Sequence, residues 1–152
     1  MSAAPLIVSD HALLRRACMP VGRVNRKFRT VAARLQETMI AHRGIGIAAP
    51  QIGEPWRICI VLRDWKPGLV PVPMFDPVII GWSEKRFVVD EGCLSFPGEA
   101  IPVERYAEVT VHHMTGAGTK VQTIFRGIEA ACAQHEIDHL NGITFHMRGL
   151  TT

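Results

Sequence analysis

The chain has 152 residues, of which 47% are hydrophobic and 20% charged, and its formal net charge is +3. This length suits one domain with a sizeable core, and the composition is that of a globular protein rather than a disordered one. Apolar runs are short or broken by proline, so we expect no membrane span, and residues 1–20 lack the pattern of a secretory signal. The mildly basic charge suits a weak encounter with nucleic acid but does not indicate stable binding.

A basic segment opens the chain. Residues 5–22 are predicted to be irregular, ending near Pro20, and no acidic residue occurs between Asp10 and Glu37. An organellar transit peptide shows this pattern, but so does a basic face of a folded domain, which is the interpretation we favour. The cations concerned are Arg15, Arg16, Arg23, Arg26, Lys27, Arg29 and Arg34.

The first predicted helix runs from about Asn25 to Ala41. Asn25 is a suitable N-cap and Gly44 a suitable stop signal. Apolar-face positions recur at steps of three and four, as expected for a helix with one buried side. They are Phe28, Val31, Leu35, Met39 and His42.

The middle of the chain predicts extended segments separated by turn residues. The first two are a loop with a short apolar segment at 44–53 and a buried strand at 56–64. A strand at 72–80 contains prolines, which indicate an edge position or a bulge. A strand that runs into a loop follows at 85–98, and strands at 101–113 and 119–126 are joined by a turn. Gly127 then opens a second helix to about Leu140, which Asn141 and Gly142 end. Without repeats or linkers, this order predicts a single α+β domain over 1–152, with mostly antiparallel strands around the second helix.

The second helix carries an HExxH pattern. His135 and His139 are four residues apart and can point their imidazoles at one ion, while Glu136 can reach a water that the ion holds. A helix that carries two surface histidines without binding a metal would show the same sequence pattern. A catalytic metal also needs a third protein ligand. In the extended metallopeptidase pattern that ligand would be at position 145, which is Phe145, so the peptidase interpretation is weakened.

Cysteine is the next candidate ligand. The four cysteines form no CxxC pair, so a disulfide framework is not indicated and a reducing compartment is expected. Cys93 lies in a loop beside glycine, where a metal could hold it as thiolate. An isolated cysteine is more often a small buried hydrophobe, which suits Cys59 and Cys18. Cys132 lies one turn before His135 and is expected to line the same cavity without binding metal.

Gln51 is a polar side chain within the apolar stretch GIGIAAPQIG. A buried amide must be hydrogen-bonded or kept for a ligand, and it could donate to a developing oxyanion. The stretch lacks the lysine and the glycine spacing of a phosphate-binding loop.

Three stretches, GIGIAAPQ at 44–51, EGCLS at 91–95 and QHEIDH at 134–139, resemble the signature motifs of peptide deformylases, and LLRRACMPV at 13–21 resembles the start of that family's domain. The resemblance implies an enzyme that removes the formyl group from N-formylmethionyl peptides leaving the ribosome, releasing formate. It implies Fe²⁺ as the cofactor, replaceable by Zn²⁺ or Ni²⁺, and a cytoplasmic location (the host cytoplasm, if a phage encodes the chain).

The same resemblance implies the roles of individual residues. The implied metal ligands are Cys93, His135 and His139, and the implied acid/base is Glu136. The oxyanion would be stabilised by Gln51 and by the backbone N–H of Leu94. The implied substrate-binding residues are Ile45, Gly46, Glu91 and Cys132, beside which the peptide would add like an extra strand. Arg105 and Asp138 are expected to support the ligands or to form a surface salt bridge.

The chain departs from the family pattern at three places. Ala100 stands near the position of an arginine that approaches the peptide, and Asp76 stands where the family usually has asparagine. The chain also stops at Thr152, as in shortened phage-encoded members without the C-terminal helix that touches the ribosome. We therefore expect at most a transient ribosome contact.

Two other functions are compatible with parts of the pattern. A general HExxH metallopeptidase would need a third ligand after the helix, where no suitable residue stands. A deformylase-like binding protein without activity would be expected to have lost Glu136, Gln51 or Cys93, and all three are present.

Overall fold

The computed structural model describes residues 2–9, 11–65 and 68–150, so the ends of the predicted 1–152 domain lie outside the described residues. Helices are α1 (Arg26–Ala41), α2 (Ile128–Leu140) and α3 (Phe145–Arg148), with short 3₁₀ helices at Ala12–Arg15 and Ala49–Ile52. Strands are β1 (Gly46–Ala48), β2 (Ile58–Trp65), β3 (Gly68–Trp82), β4 (Arg86–Cys93), β5 (Phe96–Tyr106), β6 (Glu108–Met114) and β7 (Lys120–Arg126). None of the helices described is long and apolar enough to cross a bilayer. The α+β prediction is confirmed.

Helix α1 forms where the sequence predicts it. The side chain of Asn25 accepts a hydrogen bond from the N–H of Phe28, which satisfies one of the free donors at the helix start. Phe28, Leu35 and Met39 are buried on one face, as the periodicity indicates. His42, the last member of the predicted apolar face, is instead exposed at the C-cap.

Five strands form an antiparallel sheet in the order β1-β2-β3-β6-β7. Strand β2 is buried from Ile58 to Val61, which explains its continuous apolar sequence. Strand β1 is an edge strand of this sheet, and this position matters for the site below.

Strand β3 contains the predicted bulge but lies inside the sheet, between β2 and β6. Its register with β6 shifts between Phe75 and Val78, around Asp76 and Pro77. Asp76 has φ of 50°, a left-handed conformation that aspartate tolerates better than most residues. Its carboxylate accepts hydrogen bonds from the N–H groups of Val21 and Gly22 at 2.7 and 2.8 Å, so the bulge anchors the N-terminal segment.

The predicted strand at 101–113 is wrong, because the chain changes sheets at Ala107. Strand β5 starts at Phe96, pairs with β4 in a separate hairpin and ends at Tyr106, after which β6 joins the large sheet. The side chain of Gln134 on α2 binds both backbone groups of Tyr106. It accepts a hydrogen bond from the Tyr106 N–H and donates one to the Tyr106 C=O. This capture ends the β5 ladder, and apolar alternation along the sequence does not reveal it.

Helix α2 is buried on all sides from Ala130 to Leu140. It packs against β1, β2 and β7 of the large sheet and against β5 of the hairpin. Gly127 and Gly142 flank it with φ of 61° and 73°, as the sequence predicts. Burial all round explains why the helix is rich in alanine, and it brings every polar side chain of the HExxH stretch into the interior.

Replacing Asp76 with alanine should destabilise the fold by about 2 kcal/mol, because two backbone N–H groups lose a charged acceptor and alanine disfavours the left-handed conformation. Asp76→Asn keeps an acceptor and tolerates positive φ, so it should lose less than half as much. Urea unfolding of the three proteins measures both effects. Equal losses in the two variants would contradict this role of the bulge.

Candidate metal centre

Three side chains with metal-binding atoms meet at the interior end of a cleft. Cys93 ends β4, and His135 and His139 lie one turn apart on α2. One ligand atom from each lies within 4.8 Å of the others, and the Cys93 Sγ is 3.3 Å from His139 Nε2. The structure therefore brings together the two histidines that the sequence pairs and the cysteine that only the resemblance assigns.

The donor set fits a transition-metal ion. One thiolate and two imidazoles suit Zn²⁺ or Fe²⁺ and do not suit Mg²⁺ or Ca²⁺. His139 is 1% exposed and turns its Nε2 toward the Cys93 thiol. Burial also lowers the pKa of His139, so its imidazole is neutral and able to bind a cation at pH 7. This arrangement supports a metal site rather than two histidines on a helix surface.

A buried network orients His135. Its Nδ1–H donates to Glu91 Oε1 at 2.7 Å, which directs the other ring nitrogen toward Cys93 and His139. Both oxygens of Glu91 also accept from Arg105, whose guanidinium donates in addition to Asp138 at 2.7 Å. Burial alone would raise the pKa of Glu91, but the hydrogen bonds from Arg105 and His135 lower it to about 2. Glu91 is therefore ionised at neutral pH.

These contacts change the interpretation of three residues. Arg105 is 4% exposed and Asp138 7% exposed, so the ion pair between them is buried and is not a surface salt bridge. Glu91, predicted to bind substrate, lines a cavity, but both of its oxygens are already engaged by Arg105 and His135. The geometry gives it the task of positioning His135, and its role in substrate binding stays a prediction.

Glu136 is buried beside the three candidate ligands, and its Oε2 has no hydrogen-bond partner in the described part of the chain. Burial raises the pKa of Glu136 to about 7, which places it in the range of an effective acid/base at neutral pH. A Cβ added to Gly46 would lie 2.7 Å from Glu136 Oε1 and 2.5 Å from Cys132 Sγ. Only glycine at position 46 lets β1 run this close to the carboxylate.

Gln51 is 1% exposed and is held in one orientation. Its Oε1 accepts from the N–H of Ala48 at 2.9 Å, so its amide NH₂ turns toward the site, 3.7 Å from Cys93 Sγ. The same group donates to Ser95 Oγ at 3.1 Å. The sequence pattern did not single out Ser95; its place within EGCLS was the signal that could have found it.

The cleft over the centre has a volume of about 370 Å³. Its inner end carries Cys93, His135, Glu136 and Gln51, and its walls carry residues from the two glycine-flanked segments, among them Gly44, Ile45, Gly46, Gly92 and Leu94. A second cavity of about 210 Å³ adjoins it and is lined by Ile45, Val89, Ile128, Ala131 and Cys132. The cleft also contains Arg43 and Glu99, neither of which the sequence analysis selected.

Known proteins that are similar to this chain agree on its family. The family model described as polypeptide deformylase matches residues 3–150. The chain belongs to the polypeptide deformylase family. A peptide deformylase from Rhizobium meliloti is 40% identical over 147 residues, covering 95% of this chain and 84% of that protein.

Solved structures give the same result. The class I type b peptide deformylase from Acinetobacter baumannii, determined with Met-Ala-Ser bound, has a TM-score of 0.90 and 35% identity over 97% of this chain and 99% of that one. The peptide deformylase from Thermotoga maritima has a TM-score of 0.91 and 31% identity over 99% of this chain and 100% of that one. The chain is thus an enzyme of the peptide deformylase class, a metal-dependent family that removes formyl groups from nascent peptides.

Gly46→Ala should destabilise the protein by about 1–3 kcal/mol, because the new methyl group overpacks against Cys132 and Glu136. Gly81→Ala is the matched control, since its Cβ would lie 3.6 Å from Thr110, and it should stay within about 0.5 kcal/mol of wild type. Urea unfolding compares them. Adding Cys132→Ala should restore part of the loss; no recovery would argue against this contact.

Glu91→Gln should weaken metal binding about 10- to 100-fold, because it removes the charged acceptor that orients His135. Competition against a coloured chelator measures the affinity. Glu104→Gln, which alters a half-exposed carboxylate on the same hairpin, should leave the affinity unchanged. If both variants bound metal like wild type, the network would have no orienting role.

Proposed function

We propose that this chain hydrolyses the formyl amide of N-formylmethionyl peptides and releases formate, using one metal ion held by Cys93, His135 and His139 and Glu136 as the acid/base. The observation that carries the proposal is the meeting of these donors with an unpartnered carboxylate oxygen at the closed end of a peptide-sized cleft. Membership of the deformylase family supports the same reaction.

The ion we propose is Fe²⁺, with Zn²⁺ or Ni²⁺ able to replace it, since a thiolate and two imidazoles accept all three. Three protein ligands leave one position open. When bound, the ion would polarise the formyl oxygen and make water a stronger nucleophile at neutral pH.

Glu136 moves the proton. Its carboxylate takes a proton from the attacking water and then gives it to the leaving nitrogen, which becomes the free amino group of methionine. Its burial supports this role, because a raised pKa allows one carboxyl group to accept and return a proton near pH 7.

The negative charge on the formyl oxygen would be stabilised by two donors from different segments. Gln51 offers a side-chain N–H. The direction of this N–H is fixed because the Gln51 Oε1 accepts a hydrogen bond from the backbone N–H of Ala48. Leu94, in the turn between β4 and β5, offers its backbone N–H at the wall of the cleft. Donors fixed before the reaction stabilise such a charge without reorganisation.

The peptide would pair with the free edge at β1. Ile45 C=O accepts from the N–H of Leu62, and because alternate residues of a strand direct their polar groups to opposite sides, those of Gly46 face the open cleft. The methionine side chain would enter the adjoining 210 Å³ cavity, where Ile45 and Cys132 are predicted to contact it. Burial holds the Cys132 thiol protonated by raising its pKa, as an apolar wall requires.

The proposed reaction also indicates where the protein acts. We propose one domain over 1–152 that acts in the cytoplasm, where formylated chains emerge. A general metallopeptidase is disfavoured because the third ligand is supplied by Cys93, on β4 before the helix.

Glu136→Gln should lower kcat by about 10²–10⁴-fold while metal content stays near one ion per chain, because the variant keeps the shape but cannot move the proton. The assay incubates anaerobically purified, iron-loaded protein with formyl-Met-Ala-Ser and measures formate. Wild type that releases no formate would refute the proposal, and cleavage of an internal peptide bond would favour a peptidase.

The ligand set is tested separately by metal analysis. Cys93→Ser should lose most of the bound metal, whereas Cys18→Ser, which removes a buried thiol away from the cleft, should keep it. Full occupancy in Cys93→Ser would refute the ligand assignment even if the protein were active.

A further inference from the structure

Arg43 occupies a position that normally belongs to glycine. Helix α1 ends with the N–H of Gly44 bonded to Met39 C=O and the N–H of Arg43 bonded to Ile40 C=O, which is the Schellman arrangement. In this arrangement the residue after the cap takes a left-handed conformation, and Arg43 has φ of 55°. An arginine kept in a conformation that costs it energy calls for a functional reason.

Within residues 2–9, 11–65 and 68–150, no contact of the Arg43 side chain explains this conformation. Among the residues that the structure describes, its guanidinium makes no ion pair or side-chain hydrogen bond, and it is exposed. It lines the catalytic cleft next to Gly44, three residues along the segment from Gly46, which lies beside Glu136, and Gly98 and Glu99 line the same cleft. Its charge is therefore available to a ligand that extends along this segment from Glu136.

The position of the cleft residues gives the direction of a bound peptide. Of the segment 43–51, only residues 43–46 and Gln51 line the cleft, so a peptide starting at the metal leaves along Gly46, Ile45 and Gly44. Gly46 lies beside Glu136, where the formyl group reacts. A strand advances by about 3.3 Å per residue. Counting formylmethionine as the first residue, the second and third residues of the peptide therefore come within reach of the Arg43 guanidinium.

We propose that Arg43 is a specificity-determining residue that favours formylated peptides with an acidic side chain at the third position and disfavours those with a basic one. The inference rests on the proposed deformylase function and adds a substrate preference to it. Glu99 also lines the cleft, but its carboxylate accepts a hydrogen bond from His146 Nε2 at 2.9 Å, so it is less available to a peptide than the Arg43 guanidinium. Ala100, on the same strand as Glu99, contributes no charge.

The kinetic test uses three C-terminally amidated peptides, formyl-Met-Ala-Glu, formyl-Met-Ala-Gln and formyl-Met-Ala-Lys, so that the terminal carboxylate plays no part. At low ionic strength, wild type should show a KM about three- to tenfold lower for the Glu peptide than for the Lys peptide, with similar kcat. Because the pairing is exposed, 0.5 M NaCl should reduce the ratio to about twofold.

Variants assign the preference to Arg43. Arg43→Gln should abolish the ratio and Arg43→Glu should invert it, whereas Arg23→Gln, an exposed cation outside the cleft, should leave it unchanged. Glu99→Gln should increase it. Arg43→Gly should also abolish the ratio while equalling or exceeding wild type in urea resistance, because glycine suits the left-handed position. An effect due only to folding would not show this combination.

Equal KM values for the Glu and Lys peptides in wild type, or a ratio that survives Arg43→Gln, would overturn the proposal. If no peptide yields formate, the proposed function fails. The charge preference is then decided independently by isothermal titration calorimetry, which measures the binding of Met-Ala-Glu-amide and Met-Ala-Lys-amide to wild type and to Arg43→Gln. Equal binding of the two peptides to wild type would then overturn it as well.

Discussion

The burial of helix α2 is the constraint on which the site depends. A helix surrounded by protein must find internal partners for most of its polar side chains, and α2 carries three that do, Gln134, His135 and Asp138. Each finds its partner on the β4–β5 hairpin: Gln134 on the backbone of Tyr106, His135 on Glu91 and Asp138 on Arg105. The contacts that satisfy the helix therefore also hold the hairpin against it and place Cys93 beside the histidines.

The buried charges contribute orientation more than stability. Removing charges from water costs about as much as their pairing returns, so a buried network is weak evidence for a stable fold. Its effect here is specific: Arg105 holds Glu91 ionised, and Glu91 in turn directs one nitrogen of His135 away from the metal position and the other toward it. Glu136, on the same helix, is left out of the network, and its free oxygen remains available for chemistry.

The segment from Arg43 to Gly46 shows how closely the cleft is fitted to a peptide. Gly46 allows the backbone to approach Glu136, and a Cβ added to Gly44 would lie 2.8 Å from Leu94 Cδ1. At the start of the segment, Arg43 accepts an unfavourable conformation and leaves an uncompensated charge at the cleft. Small residues near Glu136 leave room for any formylated peptide to react there. The charge of Arg43, farther along the segment, is where the cleft could distinguish one peptide from another.

The sequence by itself determined helices α1 and α2, the residues that end them and the pairing of His135 with His139, because periodicity, capping and four-residue spacing are local properties; for β3 it left an edge position and a bulge as alternatives. The residues alone offered Cys93 and Gln51 as candidates, and the resemblance to a family assigned their roles, because no local rule could join them to a helix more than forty residues away. Only the tertiary structure decided that β5 breaks at Ala107, that Glu91 holds His135, and that Arg43 faces the cleft. Those facts depend on which segments pack together, since Gln134 must reach Tyr106 and Arg105 must reach Asp138 across the fold.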